Sequence, residues 1–345
     1  MNISTIGLDL AKSVFSVHGI DESGEIVVKR DLRRAQVLGF FRKLAPCLVG
    51  MEASSGAHYW ARELRELGHD VRLMPAGYVK AYVKRGKTDA GDAAAICEAV
   101  RRPTMRFVPV KSPETQAILA LHRCRDLLVR QRTQTTNVLR ALCAEFGIVA
   151  AKGRVPLCAL GAIIADTNDA RLPHVARLAL KPLLDELGHL TQHIVRLERE
   201  IVLRNRDNEA CRGLVTIPGI GPITASALAA TIGDPKRFGT GRDLAAWLGL
   251  TPQPRSSGGK NRVGSISKMG DPYLRRLLVQ GAQAVMWAER KKRVPSSAWL
   301  AALVARRPNK VAAVALANRT ARIAWAVLTT GDVYRRRGTE AAQAA

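Results

Sequence analysis

Short apolar runs open the chain and give way, from residue 34 on, to helical spacing broken by further short runs. Residues 3–9 and 13–20 alternate or run apolar (Ile3, Ile6, Leu8; Val14, Phe15, Val17), which predicts two strands. Asp21-Glu22-Ser23-Gly24 is a turn signal, and Ile26, Val27 and Val28 predict a third strand over 25–30. Residues 34–44 read as a helix, 46–52 as a buried strand, 57–67 as a helix and 69–74 as another strand. Residues 89–101 read as a helix that Thr88 is suited to cap. Further on, leucines interleave with arginines over 113–147 and predict one long helix. A second long helical stretch covers 174–209, with Lys181-Pro182 as the place where it could be interrupted. Two such helices suggest an antiparallel coiled arm for dimerisation or for gripping nucleic acid; plain helical packing is the alternative.

The N-terminal order, βββαβαβα, is that of the ribonuclease H fold, and four acids fall at informative places in it. Asp9 ends the run Ile6-Gly7-Leu8-Asp9. Glu52 ends Leu48-Val49-Gly50-Met51-Glu52, and Asp89 and Asp92 open the helix after Thr88. Three residues apart on a helix, Asp89 and Asp92 share a face and repel unless a cation sits between them. Any one aspartate at a strand end is more often a cap, but four such acids point to a divalent metal.

Charge strengthens that inference. Lys and Arg number 54 against 29 Asp and Glu, a formal net charge of +25, which points to a polyanionic partner such as nucleic acid. From Thr251 onward 18 basic residues face 4 acidic ones, yet apolar residues interleave them, so this part is expected to fold. A chain this basic has little reason to gather acids without a metal. The six cysteines are scattered with no CxxC pair, so no zinc ribbon is expected and a reducing cytosol fits. No signal peptide and no uncharged apolar run of membrane-spanning length is read, so no membrane association is expected. His189 and His193, four apart, could bind a metal, but a solvated helical face is favoured. Aromatics make up 5% of the chain, which does not support an RNA-binding sheet of stacking rings. Trp247, Trp287, Trp299 and Trp325 are expected to pack the C-terminal domain.

Two further motifs bear on DNA. Pro218-Gly219-Ile220-Gly221 reads as the turn of a helix-hairpin-helix, in which Gly219 and Gly221 let backbone N–H groups approach a phosphate; a tight turn with glycine packing is the alternative. Residues 249–275 read as a flexible exposed loop holding Ser256, Ser257 and two glycines, with Lys260, Arg262 and Lys268 around them. A serine beside fixed cations can contact a phosphate or attack one, although serines in such loops are usually turn formers.

Taken with Gly7-Leu8-Asp9 and Ala11-Lys12, Met51-Glu52-Ala53-Ser54, Lys87-Thr88-Asp89-Ala90-Gly91-Asp92-Ala93, Ile217-Pro218-Gly219-Ile220-Gly221 and Gly249-Leu250-Thr251-Pro252 with Ser257-Gly258, the chain resembles the DEDD transposases of bacterial insertion sequences, related to the DNA invertase Piv. The resemblance implies an α/β plus α architecture. Its parts are a RuvC-like DEDD domain over 1–108, a helical coiled-coil linker over 109–210, a mainly helical C-terminal transposase domain over 211–338 and a flexible tail over 339–345. It implies Mg²⁺ held by Asp9, Glu52, Asp89 and Asp92, and a nucleophilic serine at Ser257. The family often has a tyrosine and an acid or serine just before that serine. Here Arg255 and Ser256 stand there, so Ser256 stays a candidate beside Ser257. It further implies donor and target DNA as substrates, a structured guide RNA, and a homodimer or homotetramer in the bacterial cytoplasm, associated with the nucleoid when bound to DNA. A RuvC-like endonuclease acting by metal-assisted hydrolysis is the alternative, and a non-enzymatic DNA-binding protein a further one.

Overall fold

The computed structural model describes residues 2–83, 88–255, 262–291 and 297–335. The chain forms two compact units, Met1–Thr115 and Gln116–Ala345.

The first unit is built on a five-stranded sheet. Strands β1 (Thr5–Asp9), β2 (Val14–Ile20) and β3 (Ile26–Arg33) form an antiparallel meander. β4 (Leu48–Glu52) and β5 (Asp70–Met74) extend it in parallel, giving the order β3-β2-β1-β4-β5. The parallel strands need helical crossovers. Those are α1 (Val37–Phe41), preceded by a single 3₁₀ turn, and α2 (Ala57–Glu66). The helix expected over 34–44 is thus shorter and split. After β5 come α3 (Ala76–Val79) and α4 (Asp89–Val100). Phe15, Phe41, Ile6, Leu8, Leu32, Met51 and Leu64 are all but excluded from solvent and form the core.

The second unit begins with two 32-residue helices, α5 (Pro113–Ala144) and α7 (His174–Asn205), joined through α6 (Arg154–Ala165). Arg125 pairs with Glu198, while Leu139 and Cys143 share a core with Leu180 and Leu187, so α5 and α7 run antiparallel. Helix α7 continues through Pro182, whose exposed position leaves the freed carbonyl to water. Arg177 is buried. Its guanidinium donates to the carbonyls of Ile163, Ile164, Asp169 and Leu172 at 2.6–3.2 Å, answering the orphan acceptors at the end of α6.

The remaining body is helical: α8 (Glu209–Val215), α9 (Pro222–Ile232), α10 (Gly241–Trp247), α11 (Pro272–Arg290), α12 (Ala298–Arg306) and α13 (Asn309–Thr330). Between α10 and α11 lie β6 (Pro252–Pro254) and β7 (Val263–Ile266), an antiparallel pair where the sequence predicted only a loop. Helix α13 has the length and apolar composition to cross a membrane. Its Ala312, Ala313, Ala317, Ala321 and Ala324 are buried in the cores formed with α10, α11 and α12.

Candidate active site and nucleic-acid surfaces

The acidic end of the first sheet is set by two glycines. Gly7 in β1 and Gly50 in β4 are register partners on neighbouring strands. A Cβ at Gly7 would lie 2.0 Å from the Ala93 carbonyl oxygen, and one at Gly50 would lie 2.8 Å from Val100 Cβ. Only a sheet bare of side chains at these positions lets α4 approach so closely. The Cys97 thiol, deep in this contact, donates to the Thr5 carbonyl at 3.8 Å, and burial pushes its pKa up to about 11. The glycines therefore fix where the first turn of α4 lies against the C-terminal end of β1. Thr88 caps that turn by accepting from the Gly91 amide at 3.1 Å.

Asp89 and Asp92 occupy that turn, and Asp9 ends β1. Carboxylate oxygens of Asp9, Asp89 and Asp92 all lie within 4.8 Å of one another; Asp9 and Asp92 are half-buried and Asp89 is exposed. Glu52 ends β4, one register step beyond the Leu8–Met51 pair, so it stands beside Asp9 at the C-terminal ends of two neighbouring strands, outside that cluster of three. An all-oxygen, all-anionic donor set suits a hard divalent ion such as Mg²⁺. Three mutually repelling carboxylates so close together also gain most from one.

The described segments on either side of the serine motif form a clasp. Gly249 and Gly270 take positive φ, and a Cβ on either would fall about 2 Å from backbone oxygen, of Met269 and of Trp247 respectively. The Ser267 amide donates to the Thr251 carbonyl at 2.8 Å, and the Arg255 amide donates to the Arg262 carbonyl at 2.8 Å. Ser256, Ser257 and Lys260 lie outside the described residues, between those last two partners. Arg262 and Lys268 are exposed, and Lys268 adopts φ 54° as its amide donates to the Gly249 carbonyl.

The two glycines of the Pro218–Gly221 turn have different environments. Gly219, at φ +88°, faces Gly281 of α11: a Cβ on Gly281 would lie 1.9 Å from the Gly219 carbonyl oxygen. Its freedom is used for helix packing, the alternative weighed for this motif. Gly221 is exposed at the start of α9 with open space before it.

The expectation that all four tryptophans pack inward is corrected. Trp247 and Trp325 are half-buried, and the Trp325 indole donates to the carbonyls of Pro235 and Phe238. Trp287 is 62% exposed and Trp299 38%. Each carries a cation on its ring: Lys291 Nζ lies 3.7 Å from the Trp287 centroid and Arg319 Cζ 4.7 Å from that of Trp299. Composition alone cannot separate a buried from a displayed ring.

A polar cluster that the sequence did not suggest joins α5, α9 and α11. His122, 2% exposed, lies 3.0 Å from the Tyr273 hydroxyl through Nδ1 and 3.1 Å from Ser226 Oγ through Nε2. Burial, with Arg125 nearby, pushes the His122 pKa down to about 4. Ser226 is 3% exposed, so this pair is closed to substrate and ties helices together.

Comparison with known proteins gives two family matches along the chain. Residues 6–147 match the family model of the IS110-type DEDD domain, described as a transposase, and residues 211–295 match the model described as "Transposase IS116/IS110/IS902 family". The chain is 53% identical over 336 residues to a Pseudomonas aeruginosa protein named "Probable family 20 transposase", across 97% of this chain and 99% of that one. It is 41% identical over 333 residues to the transposase for insertion sequence element IS1328 of Yersinia enterocolitica (96% and 99% covered). It is 39% identical over 340 residues to the transposase for insertion sequence element IS1111A of Coxiella burnetii (97% and 92%). Matched along nearly its full length, the chain belongs to the IS110/IS116/IS902 family and is an insertion-sequence transposase, a DNA-processing enzyme.

Proposed function

We propose that this transposase cleaves and rejoins DNA with a Mg²⁺-binding DEDD centre and a serine nucleophile. The observation that carries the proposal is the gathering of Asp9, Asp89 and Asp92 at the C-terminal end of the central strand β1 in a chain with net charge +25. Glu52, ending the adjacent strand, is the fourth ligand in this reading. When bound, the ion supplies Lewis-acid stabilisation of charge on the phosphate oxygens. The element order of the first unit supports a ribonuclease H-like, RuvC-like assignment for 1–108. The turn before α9 supports a helix-hairpin-helix contact through Gly221.

The chain's own residues carry the covalent step. Ser257 Oγ attacks the scissile phosphorus and loses its proton. An Oγ–P bond forms, the bond from phosphorus to one sugar oxygen breaks, and that oxygen leaves with a proton. The reverse attack by another strand end frees the serine, so phosphodiester energy is conserved for joining. Lys260, Arg262 and Lys268 offset the phosphate charge. Ser256 stands one residue away as the competing nucleophile. Guidance by a structured RNA fits the cationic excess of the chain. Assembly as a dimer or tetramer fits the exposed Leu127, Leu142, Leu178 and Leu203 on the two long helices. We place the protein in the bacterial cytoplasm, on the nucleoid when bound to DNA.

The test is a denaturing-gel assay for protein joined to end-labelled donor DNA in Mg²⁺. Wild type is expected to give a shifted adduct. Ser257→Ala should abolish it and Asp9→Asn should reduce it at least about 100-fold, the scale of losing one transition-state contact. Normal recombination by Ser257→Ala would remove the nucleophile role. Metal-dependent nicking with no adduct would turn the reading to hydrolysis. Sequencing of co-purified nucleic acid tests the guide: a discrete RNA is expected, and only heterogeneous fragments would count against it.

A further inference from the structure

Some arginines of the second unit are paired: Arg125 with Glu198, Arg204 with Glu200, Arg212 with Glu209, and both Arg130 and Arg276 with Asp126. Others on the arm, such as Arg123, Arg132, Arg196 and Arg199, are in no ion pair among the described residues. A groove of about 1940 Å³ between α12, α13 and the β6–β7 clasp gathers cations of the second kind on one wall. Its wall holds Arg242, Lys268, Lys310, Arg319, Arg322 and Arg335, all exposed, and none is in an ion pair with a carboxylate among the described residues. The one acid on the wall is Glu289. Six exposed cations line one groove with a single acid among them. Leaving these unpaired fits a surface whose counter-charge arrives with a ligand.

The groove also offers a ring. Val311, Ala315, Arg319, Arg322 and Ala326 recur at steps of four, four, three and four, so they form one stripe along α13, and the groove lies over it. Arg319 on that stripe covers Trp299, an exposed tryptophan at the start of α12. The lining also includes apolar residues, Val285, Val314 and Leu316 among them. Phosphate-seeking cations beside a displayed aromatic face are what an unpaired strand uses, because its bases are free to stack; a duplex keeps its base faces covered.

We propose that this groove binds an unpaired DNA strand, with Trp299 and Arg319 as the stacking platform and Arg322, Lys310 and Lys268 tracking the phosphates. DNA is favoured because the groove runs along the clasp, through Pro252, Gly264, Ser265 and Ile266, that carries the serine segment. To that extent the proposal rests on the serine reading above. It assigns the groove to steering a cleaved or melted strand toward that segment.

The test is fluorescence anisotropy of full-length protein on a labelled oligothymidylate of about 12 nucleotides, within the usual span of single-strand sites. A duplex of equal length and the matching oligouridylate are measured beside it. Magnesium is left out and all proteins carry Ser257→Ala, so failure of cleavage chemistry cannot affect the result. Trp299→Ala should weaken oligothymidylate binding about 10-fold or more while changing duplex binding less than about twofold. Trp299→Phe, which keeps a ring in place, should stay close to the parent and guards against a folding artefact. Arg319→Ala and Arg322→Ala should each lower the salt slope by about 0.7, the value for one phosphate contact on a single strand, and Arg196→Ala on the arm should not. Unchanged binding by Trp299→Ala, an equal loss on the duplex, or tighter binding of oligouridylate would each overturn the proposal.

Discussion

Ser226, His122 and Tyr273 look more like catalytic machinery than three aspartates do, yet the physical comparison points the other way. Both ring nitrogens of His122 have partners at hydrogen-bond distance, and its serine is shut away from solvent. Such a cluster is complete as it stands; it aligns three helices and needs no ligand. The aspartates of the first unit differ. Their charges are alike, and their oxygens are crowded within 4.8 Å, with Asp89 exposed. Polar groups that satisfy one another signal architecture, and like charges held together signal a site for a cation.

Four measurements would break or sharpen that contrast. The largest effect belongs to Gly7→Ala. Its methyl would strike backbone of α4, which cannot rotate away, so we expect a stability loss of about 3 kcal/mol or more by chemical denaturation, together with loss of Mg²⁺ response. A silent Gly7→Ala would mean that α4 need not lie where the site requires it.

Next comes the pH dependence of the His122 cluster. Its folded pKa of about 4 lies below the ordinary value of 6.5. The unfolded chain therefore binds the proton first as pH falls. The contribution is fully present above pH 6.5 and is lost as pH drops toward 4, amounting to roughly 3 kcal/mol. Denaturation midpoints of wild type and His122→Gln should converge across that window; parallel profiles would show that the cluster is not the closed unit described. Ser226→Ala should cost about 1–2 kcal/mol for the buried hydrogen bond, and DNA cleavage should persist when measured at neutral pH. Loss of cleavage in a folded Ser226→Ala protein would break the comparison outright.

The smallest effect is the most diagnostic. Asp92→Asn relieves repulsion with Asp89 but loses an anion at the helix N-terminus, so the stability of the metal-free protein should change by less than about 0.5 kcal/mol. It should also abolish any rise in melting temperature on adding Mg²⁺. A destabilised Asp92→Asn with intact Mg²⁺ response would make these acids structural.

Most of the elements of the first unit, and its acids, were legible because period-two strands and a capped helix leave local marks. What was missed was non-local. Nothing in Gly7 or Gly50 announces that they are paired across two strands beneath one helix. Helix α6 was obscured because Gly153 and Pro156 read as breakers, although proline in a first helical turn lacks only an amide that would be unpaired anyway. The β6–β7 pair was hidden for a similar reason. Pro252 and Pro254 lower strand propensity, and the clasp depends on Gly249 meeting Met269 across the intervening chain. Gly219 was legible as a turn former, but its packing partner, Gly281, is 62 positions away. For the candidate serine, sequence supplied the motif, while the described structure supplies only the frame on either side.

The position of Asp89 and Asp92 in the first turn of α4 has one more consequence. The aligned peptide dipoles of a helix leave partial positive charge at that end, worth a few tenths of a kcal/mol or more for each nearby anion. The helix is thus a permanent weak counter-charge built in beside the acids. In the metal-binding reading proposed above, it would hold the acids together without the ion and lower what the ion gains on arrival. A transposase that releases its DNA between rounds would benefit from a centre that can empty without falling apart.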